Sequence, residues 1–503
     1  MTGATSFTFS IDMTAHHYND WDDSDELLIT YSVDSGSYGN LMAVQNTDDG
    51  TIYNEPAALD TDFDGEGDCS GDNTIPALTQ GTGGGGCAVS TSNFKTFTTS
   101  SISLSSNTTL DIKLQFNGLT AADEGIYLDN ITITHNSIAG LTSSDNYTVP
   151  SHGVVTTTAD ISTNNLTVSS GGSLTIAKEN SVNVTGNFSN SGTVTMSSSS
   201  TAYSSLIVQG TSSGNITYNR YVNALGGGSG WDLIGSPVDD LSISAFATTN
   251  TSPLATGGGS GSDQYAIGVY DNETASWSNW TTDSGSNDIA NAGNFIKGKG
   301  YQMATDDGAT VAFTGAIDVD ATKTISVENF ADGSGTRWAL LSNPYPSFIT
   351  IGPNTTTDTF LEVNSSIIDN TYVGVYGYDA DTSGDGENYT IYNNLSTVKI
   401  APGQGFFIAA RSTDVASITF KEEMQATSTD DDFISGDFLE DSQEIVLKLY
   451  HENNVMGSTK LYFKDILTLG LDPGWDAGAF DQNAALMTRL VEEDEGHGLA
   501  INA

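Results

Sequence analysis

Positive charge is what this sequence lacks most. Lys and Arg together number 15 against 63 Asp and Glu, leaving a formal charge of -48 over 503 residues. That excludes ordinary nucleic-acid binding, which needs clustered cationic side chains to displace counterions from phosphate, and it argues against docking on an anionic membrane surface. There is no run of about 18 apolar residues, so no helix is expected to span a membrane. Good helix formers are scarce. The six histidines are His16, His17, His135, His152, His451 and His497. Only the first two adjoin, and no His-Glu-x-x-His, nucleophile elbow or phosphate-cradling loop accompanies them. Catalysis is therefore not expected of this chain. Carboxylate pairs of the glycosidase kind carry no weight among 63 acids, because their separation is set in space.

Cysteine is nearly absent too. The two that exist, Cys69 and Cys87, close a loop containing Gly83–Gly86. With no histidine beside them they make a poor zinc site. A disulfide is expected, stabilising chiefly by limiting unfolded-state entropy, and it implies an oxidising compartment.

What is present is the composition of short strands joined by turns. Thr, Val, Ile, Tyr and Phe dominate the apolar positions, 54 Gly and many Ser, Asn and Asp separate them, and 20 Tyr, 20 Phe and 6 Trp supply cores. The expected fold class is all-β and multidomain: a jelly-roll sandwich, a small β-solenoid, then tandem β-sandwich domains. At 1–137, Leu27–Val33, Phe94–Phe97, Leu110–Phe116 and Ile126–Ile133 alternate as sandwich strands do. At 138–222 short apolar pairs recur about every 8 to 12 residues, among them Leu166/Val168, Leu174/Ile176, Val182/Val184, Val194/Met196 and Leu206/Val208. Stacked solenoid rungs account for this spacing; a meander would write a similar string. Either reads as a spacer.

An internal repeat follows. Trp231-Asp-Leu-Ile-Gly-Ser-Pro237 aligns with Trp338-Ala-Leu-Leu-Ser-Asn-Pro344, Tyr270-Asp271 with Tyr378-Asp379, Gly298-Lys-Gly-Tyr301 with Gly403-Gln-Gly-Phe406, and Phe313 with Phe420. Two homologous β-domains are expected, at 223–330 and 331–425, with an incomplete β-domain at 426–503. The chain begins at once in a strand-like pattern and ends in an alternating run, so both ends read as cuts in a longer precursor. The repeated Trp, Gly and Phe positions read as core packing rather than ligand contacts.

The sharpest local motif is Asp60-Thr-Asp-Phe-Asp-Gly-Glu-Gly-Asp68. Carboxylates at alternate positions with a glycine at the turn suit a hard cation, Ca2+, with Asp60, Asp62, Asp64 and Asp68 as ligands. Gly71 stands where an EF-hand requires Glu, so the loop is not an EF-hand; a solvated acidic turn is the alternative. Asp379, Asp381 and Asp385 form a weaker second loop. Trp277 and Trp280, in a polar segment, are the candidates for stacking on a glycan, with turn packing as the plainer reading.

Two stretches carry resemblances. Phe9-Ser-Ile-Asp12, Tyr31-Ser-Val-Asp34, Ala58-Leu-Asp-Thr-Asp62, Phe94-Lys-Thr-Phe97 and Asp123-Glu-Gly-Ile-Tyr-Leu-Asp-Asn130 resemble a lectin-like or carbohydrate-binding jelly-roll module of secreted Bacteroidetes proteins. Trp338–Tyr345, Ile400–Ala409, Thr459–Phe463, Leu471–Ala477 and Arg489–Gly496 are similar to surface proteins exported by the type IX secretion system. The resemblance implies export by that machinery, an extracellular or outer-membrane-attached location, and an adhesin, glycan-binding or self-assembling surface role. A glycan-binding accessory region of a polysaccharide-active enzyme is the second expectation.

Overall fold

In the computed structural model, the described residues are 4–15, 21–47, 56–68, 78, 94–104, 109–120, 124–138, 141–225, 230–251, 254, 256–258, 263–352, 358–378, 389–396, 398–427, 443–482 and 485–503. The chain is all-β and multidomain. It divides into two compact units, one of Met1–Thr142 with Tyr147–Ile161 and Val168–Leu174, the other of Ser143–Asn146, Ser162–Thr167 and Thr175–Ala503.

The first unit is a two-sheet sandwich. In one sheet, the strand Ala4–Ala15 pairs antiparallel with Ile126–Ile138 and with Lys95–Thr98. The other runs in the order Ala57–Asp60, Gly39–Asn46, Glu26–Val33, Leu110–Asn117. Period-2 alternation sends Phe7, Phe9, Ile11 and Met13 inward from one sheet to meet Leu27, Ile29 and Val44 of the other around Trp21. Ile126–Ile138 also pairs, in parallel, with Gly153–Thr156.

The segment downstream of the sandwich is a β-solenoid of about four turns. Parallel pairing distinguishes it from a meander: within the second unit Ser181–Val184 lies beside Ser205–Val208, Phe188–Asn190 beside Ser212–Ser213, and Thr193–Met196 beside Asn215–Val222. Each rung buries the apolar pairs read from the sequence, Val182/Val184 on Leu206/Val208 for example. An asparagine ladder closes one corner. Asn165 Nδ2 donates to Asn146 Oδ1 at 2.7 Å, Asn187 N donates to Asn165 Oδ1 at 2.8 Å, and Thr211 N donates to Asn187 Oδ1 at 3.0 Å.

The duplication is visible strand by strand. The first copy has the sheet order Asp232–Ile234, Tyr301–Met303, Asp263–Asp271, with Ser276–Thr281 paired to the last. The second has Trp338–Ser342, Gly405–Ala409, Val375–Tyr378, Tyr389–Tyr392. Each has one short helix, Ile243–Thr249 and Phe360–Asn364. A second ladder joins Ala309–Ala316 to Asn215–Val222 in one copy and Ala416–Lys421 to Thr322–Val327 in the other.

In that ladder a strand upstream of each expected boundary, 223 and 331, pairs with a strand of the copy that follows it. Asn215–Val222 was expected in the spacer and Thr322–Val327 in the first copy. Both lie ahead of the Trp that marks the repeat, and their alternation is indistinguishable from that of the preceding segment. Beyond the second copy, Gln443–His451, Asn454–Phe463, Leu499–Asn502 and Ala477–Gly478 form a further four-stranded sheet. Tyr376 Oη donates to Gly478 O at 2.9 Å, and Phe480 stacks on Tyr389 at 4.0 Å, tying this sheet to the second copy.

Candidate cation sites and aromatic platforms

The acidic motif begins at the end of an edge strand. Asp60 closes Ala57–Asp60 and is buried, and positive φ at Phe63 and Gly65 curls the chain back beneath it. Asp60 Oδ1 accepts from Phe63 N at 2.6 Å and its Oδ2 from Gly65 N at 3.1 Å. Asp68 Oδ2 accepts from Thr61 N at 2.7 Å and from Thr61 Oγ1. Carboxylate oxygens of Asp60, Asp62 and Asp68 lie within 4.8 Å of one another.

Asp64, expected as a fourth ligand, is not part of this group. Its Oδ1 instead accepts from Glu66 N at 3.1 Å, as a short acid does in an Asx-turn. The charge of Asp64, with burial and the charges of Asp68 and Asp60, raises the exposed Asp62 carboxyl above its ordinary pKa. Cys69, Cys87, Asp379, Asp381, Asp385, His16 and His17 lie outside the described residues.

A second carboxylate group escapes a reading of the sequence. Asp22, Asp25 and Glu124 bring one oxygen each within 4.8 Å of the others. The turn ahead of Glu26–Val33 places Asp25 at 0% exposure. Asp25 Oδ2 accepts from Asp22 N at 2.9 Å, while Asp25 Oδ1 is buried with no hydrogen-bond partner. Burial, with the charges of Asp22 and Glu124, pushes the Asp25 carboxyl up to about 6 against the opposing Asp22 hydrogen bond. The signal available in sequence was Asp22-Asp-x-Asp25 before a strand; Glu124 comes about a hundred residues later, and only the sandwich brings it there.

The tryptophans sit on a strand rather than in a loop. Ser276–Thr281 pairs with Asp263–Asp271, with Trp277 opposite Tyr270. Trp277 packs on Tyr270 at 5.0 Å and reaches Phe407 of the second copy at 6.4 Å, yet stays 40% exposed. Trp280 leans on Tyr301 at 6.1 Å. Packing thus engages both rings; Trp280 is half-buried and Trp277 is the more exposed.

Between the two copies lies a cleft of about 510 Å³ whose lining includes Tyr270, Asn272, Lys299, Glu328, Phe330 and Leu340. Burial lowers the Lys299 pKa, opposed by the charge of Asp271. Rings, an amide and an amine on one wall suit a small polar ligand of sugar size. Among the described histidines, His152 and His451 are exposed and His497 Nδ1 sits 3.5 Å from Tyr372 Oη. No described helix is long and apolar enough to cross a membrane, which leaves membrane crossing by strands untouched.

The family described as a domain of unknown function, DUF8693, matches residues 141–502, nearly three-quarters of the chain and everything from the solenoid onward. No curated protein and no solved structure matches.

Proposed function

The chain belongs to the DUF8693 family, and from that premise we propose that it is a non-catalytic adhesive or structural protein of the bacterial cell surface, extracellular or attached to the outer membrane. One observation carries this reading. Asn215–Val222 is at once the last solenoid rung, parallel to Thr193–Met196, and the antiparallel partner of Ala309–Ala316 in the first copy. Solenoid and duplicated domain therefore share a hydrogen-bonded strand instead of a linker. The two parts are thereby joined as one continuous hydrogen-bonded framework, which suits a stalk.

The acidic composition and the disulfide expected between Cys69 and Cys87 fit life outside the cytoplasm. Export by the type IX machinery belongs to the same reading and rests on the resemblances of Ile400–Ala409 and the tail. Calcium at Asp60, Asp62 and Asp68 is part of it too. The test is to display the chain on a non-adherent bacterium and measure attachment to host matrix and to neighbouring cells, with negative-stain images of the purified chain for filaments. Attachment or filaments support the proposal. Turnover of polysaccharide or peptide substrates by the purified chain would sink it.

The cleft beside Tyr270 and the open part of Trp277 favour a second reading, a glycan-binding accessory region of a polysaccharide-active enzyme. A glycan array run with and without chelator separates the two. A defined sugar bound by the wild-type chain and lost on Tyr270→Ala supports this second reading.

A further inference from the structure

We propose that Asp22, Asp25 and Glu124 hold one calcium ion, which cross-links the turn before Glu26–Val33 to the start of Ile126–Ile138. The site lies apart from the acidic loop at Asp60–Asp68.

The argument starts from an oxygen. Asp25 is fully buried, and its Oδ1 makes no hydrogen bond. A buried polar atom without a partner is rare in a folded chain, and a carboxylate oxygen is the costliest kind. The acids near it offer no relief, because Asp22 and Glu124 carry the same sign as Asp25. Elsewhere the shielded acids have partners: Asp318 has Lys297 and Lys323, Asp369 has Arg337 at 2.6 Å, and buried Asp476 accepts from the N–H groups of Asp472 and Ala503. At Asp25 a cation is what would complete the group.

The neighbouring hydrogen bonds hold the other two acids in place. Asp22 Oδ1 accepts from Ser24 N at 2.8 Å and Ser24 Oγ at 2.7 Å, and Glu124 Oε2 accepts from Thr120 N. Gly118, at φ +74°, lies so close to the turn that a Cβ would sit 2.0 Å from Ser24 O. Close backbone packing thus fixes the approach of the segment that leads to Glu124. The Asp60 loop differs in kind, since loop N–H groups take both oxygens of Asp60 and one of Asp68.

The donors are all hard oxygens, which excludes a thiophilic metal. Their mutual separations stay within 4.8 Å, twice a calcium–oxygen bond of about 2.4 Å, whereas a magnesium ion at about 2.1 Å needs a tighter, octahedral set. Three carboxylates and nearby backbone oxygens are ordinary calcium ligands.

The experiment uses the full chain, stripped with chelator, in an Asp62→Asn/Asp68→Asn background that silences the acidic loop. Calcium chloride is titrated by calorimetry, and terbium is titrated with excitation at 280 nm, where buried Trp21 next to Asp22 is a sensitiser. The expected results are one bound calcium, a melting temperature raised by calcium, and Trp-sensitised terbium emission. Asp25→Asn should weaken binding at least tenfold and abolish the emission. In chelator Asp25→Asn should melt no lower than its parent, because an amide replaces a buried charge; this separates loss of binding from loss of fold. No calcium response at millimolar concentration, an unchanged response in Asp25→Asn, or equal stabilisation by magnesium would each overturn the assignment.

Discussion

Gly235 and Ser342 face each other where the two copies of the duplicated domain meet, so closely that a Cβ on Gly235 would lie 1.9 Å from Ser342 Oγ. Each stands four residues after its own copy's Trp, Trp231 or Trp338, and each donates its N–H to the first glycine of the other copy's Gly-x-Gly turn. Gly235 N reaches Gly403 O at 2.7 Å, and Ser342 N reaches Gly298 O at 2.8 Å. Reciprocal contacts of this kind are the mark of a two-fold-related pair, here within one chain. The Gly-x-Gly turns, read from the sequence as core packing, pack the two copies against each other.

Gly235→Ala should therefore strain this junction and leave each copy's own core intact. An overpacked contact of this kind costs about 1–3 kcal/mol. Hydrogen exchange should quicken at the N–H groups of residues 235, 300 and 342, which cross the junction. Ser342→Gly in the same chain should restore part of the loss, because it removes the nearest atoms that the new methyl meets and leaves only Lys299 O, at 2.7 Å, to give way. A double variant no better than the single one would place the strain elsewhere.

The repeat was legible because its markers keep their order: Trp, Tyr-Asp, Gly-x-Gly and Phe recur with nearly constant spacing. Its edges were not, because Asn215–Val222 and Thr322–Val327 carry only alternation, and their pairing with Ala309–Ala316 and Ala416–Lys421 is a long-range event. The Asp60 loop was legible because its acids fall within one short stretch of sequence, although Asp64 turns to a local N–H. The Asp22–Asp25–Glu124 group joins the segments that lead into two strands far apart in sequence, and no local pattern records that. Trp277 looked exposed because its neighbours are polar; its partner Phe407 lies in the other copy.

Asn250 and Asn364 were also missed, and they do the same work. Each ends its copy's helix, four residues after a Phe that packs on the strand Phe, Phe246 on Phe313 at 4.5 Å and Phe360 on Phe420 at 5.3 Å. Asn364 Nδ2 donates to Phe360 O and Thr419 O, both at 2.9 Å, and its Oδ1 accepts from Thr419 N at 2.8 Å. Asn250 repeats the set with Phe246 and Ala312. Asn364→Ala removes three hydrogen bonds to buried and half-buried backbone groups, and a loss of about 2–4 kcal/mol is expected. Asn364→Asp should lose nearly as much at neutral pH, since a carboxylate cannot donate. Urea midpoints of the two variants check this; a midpoint unchanged in either contradicts the role.

The solenoid ladder offers a local test. Asn187 Oδ1 accepts from both the N–H and the hydroxyl of Thr211. Asn187→Ala should cost about 1–2 kcal/mol and speed exchange of the Thr211 amide, while the amides of Ser205–Val208, held by the neighbouring rung, change less. In a chain of several domains such site-resolved exchange is more telling than a single melting temperature.

Acid should loosen the seam near Asp318 before it touches the aromatic cores. Burial alone would raise the Asp318 carboxyl, but the Lys297 hydrogen bond, the Asp320 N–H and the charges of Lys323 and Lys297 outweigh it and hold the carboxyl below its ordinary range. A carboxyl depressed in the folded chain binds fewer protons there than in the unfolded chain. Its stabilisation is thus complete at neutral pH, persists to about pH 4, and is lost as pH falls further through the folded value. Asp318→Asn leaves Lys297 with Asp239 and leaves Lys323, buried at 5% exposure, with Asp320 O, so each loses one carboxylate partner. It should cost about 1–3 kcal/mol at pH 7. The gap between variant and wild type should then narrow between about pH 4 and pH 2, where the wild type loses the same charge. A gap that stayed constant with pH would mean that Asp318 acts through its shape and not its ionisation.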